Sequence, residues 1–148
     1  MDIYDSEDKL ILELVNQGND LLIVIRCHLL LESYLIKIIE SILPNPSELE
    51  IDKLSFIQKV GLALAINGIS HEMKGLLIKL NSIRNKFAHD HLKTITDKEI
   101  IELENTMSIE QRKELMPEEL YRCECATEKL GGLFLLAISY LQVCANET

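Results

Sequence analysis

A long aliphatic stretch over residues 21–43 constrains what this chain can fold into more than any other feature. Apolar side chains recur there at the spacing of a helix, which predicts one long helix. Titratable side chains interrupt the stretch, namely Arg26, His28, Glu32, Lys37 and Glu40. Because such groups are costly in a lipid bilayer, we expect this helix to lie in the core of a bundle and not in a membrane.

The 148 residues suffice for one domain, 1–148, with a core of its own. Gly and Pro are few, at 6 and 3, and no segment alternates polar and apolar residues as a half-buried strand does. We therefore predict an all-α fold, a single bundle of five to seven helices. Caps, breaks and periodicity predict helices over 5–16, 20–43, 56–66 and 72–89, shorter ones after Thr96 and Ser108, and a last one over 117–144.

The chain is acidic, with a formal net charge of −9 at pH 7. Negative charge repels polyanions, which excludes a protein that coats DNA or RNA through a broad basic surface. The N-terminus is acidic and lacks the features of a secretory signal. The cysteines do not have the spacing of a zinc site, and they are Cys27, Cys123, Cys125 and Cys144. We expect reduced cysteines in a cytoplasmic protein that holds no metal and no cofactor.

On the predicted second helix, His28 and Glu32 stand apart from the other charges. They lie four residues apart within the apolar arc, whereas a separate polar face is formed by Arg26, Ser33, Lys37 and Glu40. A carboxylate in a core needs a cation or hydrogen-bond donors. Two interpretations are open: His28 and Glu32 satisfy each other or bind nearby backbone, or Glu32 orients a basic residue of another helix, with Arg84 the best candidate.

The predicted fourth helix has one apolar stripe, formed by Leu76, Leu80, Ile83 and Phe87. Arg84 lies at the flank of this stripe, and Asn85 and His89 lie on roughly the opposite side. We therefore expect His89 to face solvent or a partner subunit. A simpler role is open for Arg84 and His89, because cations near a helix C-terminus complement the helix dipole.

The run Arg84-Asn85-Lys86-Phe87-Ala88-His89 resembles the signature of the HEPN superfamily. That signature is an Arg, commonly followed by a polar residue such as Asn, and then a His. The form R-N-x-F-A-H is especially similar to the branch that contains the mannitol operon repressor (MltR) family. The resemblance extends to residues 26–32 and 56–63.

The resemblance implies a helical bundle that commonly forms a homodimer through the face that bears the run. In catalytic HEPN proteins, two Arg/His sets meet across the dimer and cut RNA without a metal. Carried over to this chain, Arg84 would bind and stabilise the scissile phosphate. His89 would move protons as the ribose 2′-hydroxyl attacks, and Asn85 would orient His89 or the phosphate. A guanidinium and an imidazole suit these roles chemically.

Acidity and the similarity to the MltR branch, which is associated with transcriptional control, favour a non-catalytic regulatory or scaffolding domain. Such a domain would act through protein contacts. We find no helix-turn-helix motif with a basic recognition helix, so direct DNA binding is not expected.

Two alternatives are open, so the sequence leaves undecided whether the protein is an enzyme. The intact set of Arg84, Asn85 and His89 favours a metal-independent endoribonuclease of a toxin–antitoxin or defence system. RNA could then bind a modest basic patch formed by Lys79, Lys86, His91 and Lys93. A homodimer would bring two such patches together and double the local field. The third hypothesis is a small molecule or nucleotide bound in a cleft near Glu32 and Arg84.

Overall fold

The computed structural model describes residues 6–115 and 125–147, with the side chains of residues 6–8 excepted. Within these residues the chain forms seven α-helices and no strand, which confirms the predicted all-α bundle. The predicted start of the last helix at residue 117 lies outside the described residues. The helices are α1 (Ser6–Gln17), α2 (Asp20–Ile42), α3 (Phe56–Ala65), α4 (Lys74–His89), α5 (Asp97–Glu104), α6 (Ile109–Leu115) and α7 (Ala126–Glu147).

Reciprocal capping boxes fix where three of the helices begin. Ser55 and Gln58 form such a box at the start of α3, and Thr96 and Glu99 form the one predicted at the start of α5. Ser108 and Gln111 form the third, at the start of α6. In each box the two side chains satisfy backbone N–H groups that have no partner inside the helix. Short 3₁₀ turns, which the sequence analysis did not predict, cover Pro46–Glu48, Ile51–Lys53 and His71–Met73.

The end of α3 has the geometry of a Schellman motif. Asn67 adopts a left-handed conformation with φ of 60°. The Gly68 N–H then donates to the Ala63 carbonyl at 2.7 Å, and the Asn67 N–H donates to the Leu64 carbonyl at 3.1 Å. A Cβ atom on Gly68 would lie 2.6 Å from the Ile38 side chain, so glycine permits a close approach to α2.

Helix α2 is central and packs against α1, α3, α4 and α7. By length and composition α7 could cross a membrane, with a mean hydropathy of 1.3 over its most apolar window. It nevertheless buries one face in the bundle, mainly against α2, as a core helix does. Core side chains of α2, α4 and α7 include Ile23, Val24, Leu31, Leu35, Ile38, Leu76, Leu80, Ile83, Phe87, Leu130, Phe134 and Leu141.

A buried carboxylate at the first turn of α2 ties three parts of the chain together. Asp20 Oδ2 accepts a hydrogen bond from the Ile95 N–H at 2.8 Å, and Oδ1 accepts one from the Thr127 hydroxyl at 2.7 Å. The start of α2 is thereby joined to the segment between α4 and α5 and to α7. These two hydrogen bonds hold in place the segment that follows the run of residues 84–89, which we call the Arg/His run.

Replacing Asp20 with Ala is expected to lower the free energy of unfolding by about 2 kcal/mol, because buried donors lose their acceptor. Asp97→Ala is a matched control, since Asp97 also follows the N-cap of its helix but is exposed. The Asp97→Ala variant loses only the small favourable interaction of a carboxylate with the dipole of its helix. Urea unfolding measures both variants, and equal losses would contradict the anchoring role of Asp20.

Candidate functional site

The Arg/His run occupies the C-terminal half of α4. Phe87 is 1% exposed and lies in the core, as predicted. Arg84 is partly buried at the flank of the apolar stripe, and its Nη1 donates to Asn85 Oδ1 at 3.3 Å. Asn85 and His89 are both exposed, which confirms that His89 faces outward. The end of α4 therefore presents a guanidinium, an amide and an imidazole where the helix dipole favours positive charge.

The carboxylate of Glu32 binds a lysine of α3 and not Arg84. Glu32 Oε1 accepts a hydrogen bond from Lys59 Nζ at 2.5 Å, and the Lys59 side chain is only 1% exposed. The interpretation that Glu32 binds a basic residue of another helix is therefore confirmed, but the choice of Arg84 as that residue is wrong. A lysine enclosed in the core must have a counter-charge, whereas the partly exposed guanidinium of Arg84 reaches water.

The imidazole of His28 binds an amide of α4, so its predicted pairing with Glu32 or with backbone is wrong as well. His28 Nε2 donates to Asn81 Oδ1 at 2.9 Å, and its ring lies 4.3 Å from that of Phe56. Burial lowers the pKa of His28, the Asn81 hydrogen bond opposes this, and the nearby charge of Arg84 lowers it further. The imidazole is therefore neutral at pH 7.

Ion pairs compensate the lysines that the sequence analysis assigned to a basic patch. Lys79 lies 2.6 Å from Glu102. Glu99 binds two lysines, with Lys93 at 2.8 Å and Lys86 at 3.7 Å. Burial alone would raise the pKa of Glu99, but hydrogen bonds from Lys93 and Thr96 outweigh it and hold that pKa below its usual value. Two carboxylates thus offset two of the three lysine charges beside the run.

Arg84 differs from these lysines in its surroundings. Among the residues that the structure describes, no carboxylate lies within ion-pair distance of its guanidinium, and its hydrogen bond goes to a neutral amide. An arginine with no counter-ion presents a full positive charge and several N–H donors. It is therefore available to an anionic group from outside this part of the chain.

Three residues of the site were missed by the sequence analysis: Lys59, Asn81 and Glu99. Lys59 could have been found, because it lies three residues after Phe56 and four before Ala63, on the apolar stripe of α3. A lysine at such a position predicts a buried cation that needs a carboxylate. Asn81 and Glu99 gave no comparable signal, since an amide and a capping glutamate are common at helix surfaces.

Exposed leucines lie on the segments next to the run. The bonds from His28 to Asn81 and from Asp20 to Ile95 show that α2 and α4 are antiparallel, so the first half of α2 lies beside the end of α4. Leu29 is 60% exposed on this part of α2, and Leu92 is 80% exposed just after α4. We call this surface the motif face and define it by Leu22, Leu29, Arg84, Asn85, His89 and Leu92.

An apolar groove lies elsewhere on the bundle. It has a volume of about 770 Å³ and lies between α1 and α7, lined by aliphatic residues such as Ile11, Leu12, Leu135 and Val143. Neither Glu32 nor Arg84 is among its lining residues, so it is not the cleft that the third hypothesis requires.

The cysteines that the structure describes differ in their exposure to solvent. Cys27 is buried, and burial raises the pKa of its thiol to about 12. Cys144 is partly buried, Cys125 is exposed, and Cys123 lies outside the described residues. In the part of the chain that the structure covers, no three His, Cys, Asp or Glu side chains come together as a metal site would need.

The lowered pKa of His28 predicts a pH dependence of stability. Below about pH 6.5 the unfolded chain takes up a proton at His28 that the folded chain does not, so the free energy of unfolding falls as the pH is lowered. The His28→Gln variant lacks this contribution to the decrease in the free energy of unfolding. The control His71→Gln, which changes an exposed residue, retains it. Urea unfolding at a series of pH values tests this. An unchanged pH dependence in His28→Gln would contradict it.

Comparison with known protein families, with curated proteins and with solved structures finds no match for this chain. The resemblance to the HEPN superfamily therefore stays a prediction that depends on residues 84–89 and on the two supporting segments of the sequence. The geometry of the motif face and its surroundings is what any proposal about function has to use.

Proposed function

We propose that this chain is a non-catalytic regulatory or scaffolding domain of the MltR type, within the HEPN superfamily, that acts through protein contacts. Its motif face is the contact surface, and a second copy of the chain is its first partner. The observation that carries this proposal is that the lysines beside the run are already paired with Glu99 and Glu102.

Charge compensation weighs against a nucleic-acid surface. Phosphate backbones are bound through several uncompensated Lys and Arg side chains, whose contacts release counterions. Here Glu99 and Glu102 offset two of the three positive charges of Lys79, Lys86 and Lys93, and the whole chain carries a net charge of −9. A long-range repulsion would therefore oppose the approach of RNA or DNA.

The motif face has instead the composition of a protein interface. Exposed Leu22, Leu29 and Leu92 supply apolar area that gains free energy when water is removed. Arginine is enriched in such interfaces, and a guanidinium such as that of Arg84 can hold a partner's carboxylate through two parallel hydrogen bonds. His89 adds a titratable group at the edge of the contact.

Replacing Leu29 with Asp is expected to weaken homodimerisation by at least about tenfold, because a charge would be buried at the centre of the contact. Ile101→Asp is the matched control, since Ile101 is 56% exposed on α5 but lies outside the motif face. Sedimentation equilibrium measures both, with circular dichroism to check the fold. A wild-type chain that stays monomeric, or equal effects of the two variants, would contradict the proposal.

A metal-independent endoribonuclease is the second candidate. It is favoured by the guanidinium of Arg84, which has no carboxylate partner among the described residues, and by the exposed imidazole of His89. In this reaction the ribose 2′-oxygen attacks phosphorus and the bond to the 5′-oxygen breaks, leaving a 2′,3′-cyclic phosphate and a 5′-hydroxyl. One group must accept the 2′-hydroxyl proton and another must protonate the leaving oxygen. Two copies would supply two His89 imidazoles, and Arg84 would stabilise the charged phosphorane.

RNA cleavage in EDTA separates the two candidates. The regulatory domain leaves RNA intact, whereas the ribonuclease produces cyclic phosphate ends and loses at least about a hundredfold in rate in His89→Ala. His71→Ala is the control for a histidine that is exposed away from the motif face. Cleavage that His89→Ala abolishes and His71→Ala leaves unchanged would overturn the first proposal in favour of the second.

A further inference from the structure

The apolar groove between α1 and α7 is used by neither proposed function. Its volume of about 770 Å³ lies within the range of small-molecule sites in proteins, roughly 300–1,000 Å³. None of the residues that define the motif face lines it. Most of its described lining residues are aliphatic or glycine, and Leu12 and Val143 among them are 46% and 54% exposed. Water therefore contacts apolar surface that a bound ligand would cover.

The two helices that form the groove are antiparallel. Asp20, just after α1, binds Thr127 at the start of α7. A Cβ atom on Gly131 would collide with the side chain of Val15, so glycine permits a close approach of α7 to α1 at this point. The groove follows α7 over residues 128–143, a length of about 22 Å at about 1.5 Å per residue. Its shape therefore suits an elongated apolar group.

The charge of the groove lies at one end. Among the described lining residues only Glu128 is charged, and it lies in the first turn of α7. No ion pair within the described part of the chain involves it. The other polar lining residues are neutral, and they are Asn16, Ser139 and Tyr140. A carboxylate at the end of an apolar groove is complementary to a cation that is joined to an apolar body.

We infer that this groove binds a small amphiphile with an elongated apolar body and a cationic end, which lies beside Glu128. Burial of the apolar body supplies most of the affinity, and the ion pair with Glu128 selects the sign of the charged end. A carboxylate or phosphate end would meet the negative charge of Glu128 and no lining cation of the described chain, so such ligands are disfavoured. The inference does not depend on the proposed function, since the groove and the motif face share no residue.

The experiment titrates the full chain with decyltrimethylammonium and with decanoate, each below its micelle concentration, at neutral pH where decanoate is anionic. Methyl NMR signals of Leu12, Leu135 and Val143 report binding in the groove. The cation shifts these signals and binds at least about threefold more tightly than decanoate. Octyltrimethylammonium, which is two methylenes shorter, binds about tenfold more weakly than the decyl compound.

Glu128→Gln tests the role of the carboxylate. In this variant the cation loses about threefold in affinity and decanoate binds no more weakly, so the preference for the cation disappears. Glu13→Gln is the matched control, because Glu13 is an exposed glutamate of α1 that does not line the groove. It changes the net charge of the chain by the same amount and keeps the preference.

Three results of these titrations would overturn the inference: equal affinities of the wild type for the two amphiphiles, a preference that survives in Glu128→Gln, or shifts confined to Leu29 and Leu92 of the motif face. Shifts of the groove methyl signals on dilution without ligand would overturn it as well, because they would place a second copy of the chain in the groove. Dimerisation through the motif face is measured separately with Leu29→Asp, so the two proposals can fail independently.

Discussion

Two polar links across an aliphatic core hold the bundle in register. Lys59 and Glu32 join α3 to α2, and His28 and Asn81 join α4 to α2 one turn away. Hydrophobic packing alone tolerates small shifts of one helix along another, but a shift here would leave a buried ammonium and a buried imidazole without partners. The register of α4 in turn decides which of its side chains face water. The motif face therefore depends on these two links.

The distribution of charge around α4 explains why the motif face is unlike a basic patch. Glu99 is enclosed beside two lysines and Glu102 binds a third, so two carboxylates offset most of the positive charge on the flank of α4 that faces α5. The opposite flank carries Arg84 with an amide neighbour and no carboxylate within the described residues. Positive charge beside exposed leucines suits a protein contact that needs a specific anionic partner.

Local signals in the sequence predict much of the fold and the outward part of the site. Helical periodicity places Phe87 inside and His89 outside, and the capping pattern at Thr96 marks the start of α5, because these features depend on neighbours within one or two turns. Periodicity also shows that Glu32 points into the bundle. It cannot show which helix lies opposite, so the choice between Arg84 and Lys59 as partner needed the packing of α3 against α2.

We propose that two copies of the chain meet through the motif face. Isotope-filtered NOE spectroscopy on a mixture of labelled and unlabelled chains is the decisive measurement, because it detects only contacts between copies. We expect intermolecular NOEs that involve the methyl groups of Leu29 and Leu92. Intermolecular NOEs confined to the groove between α1 and α7, at Leu12 and Val143, or none at concentrations where the protein is dimeric, would contradict it.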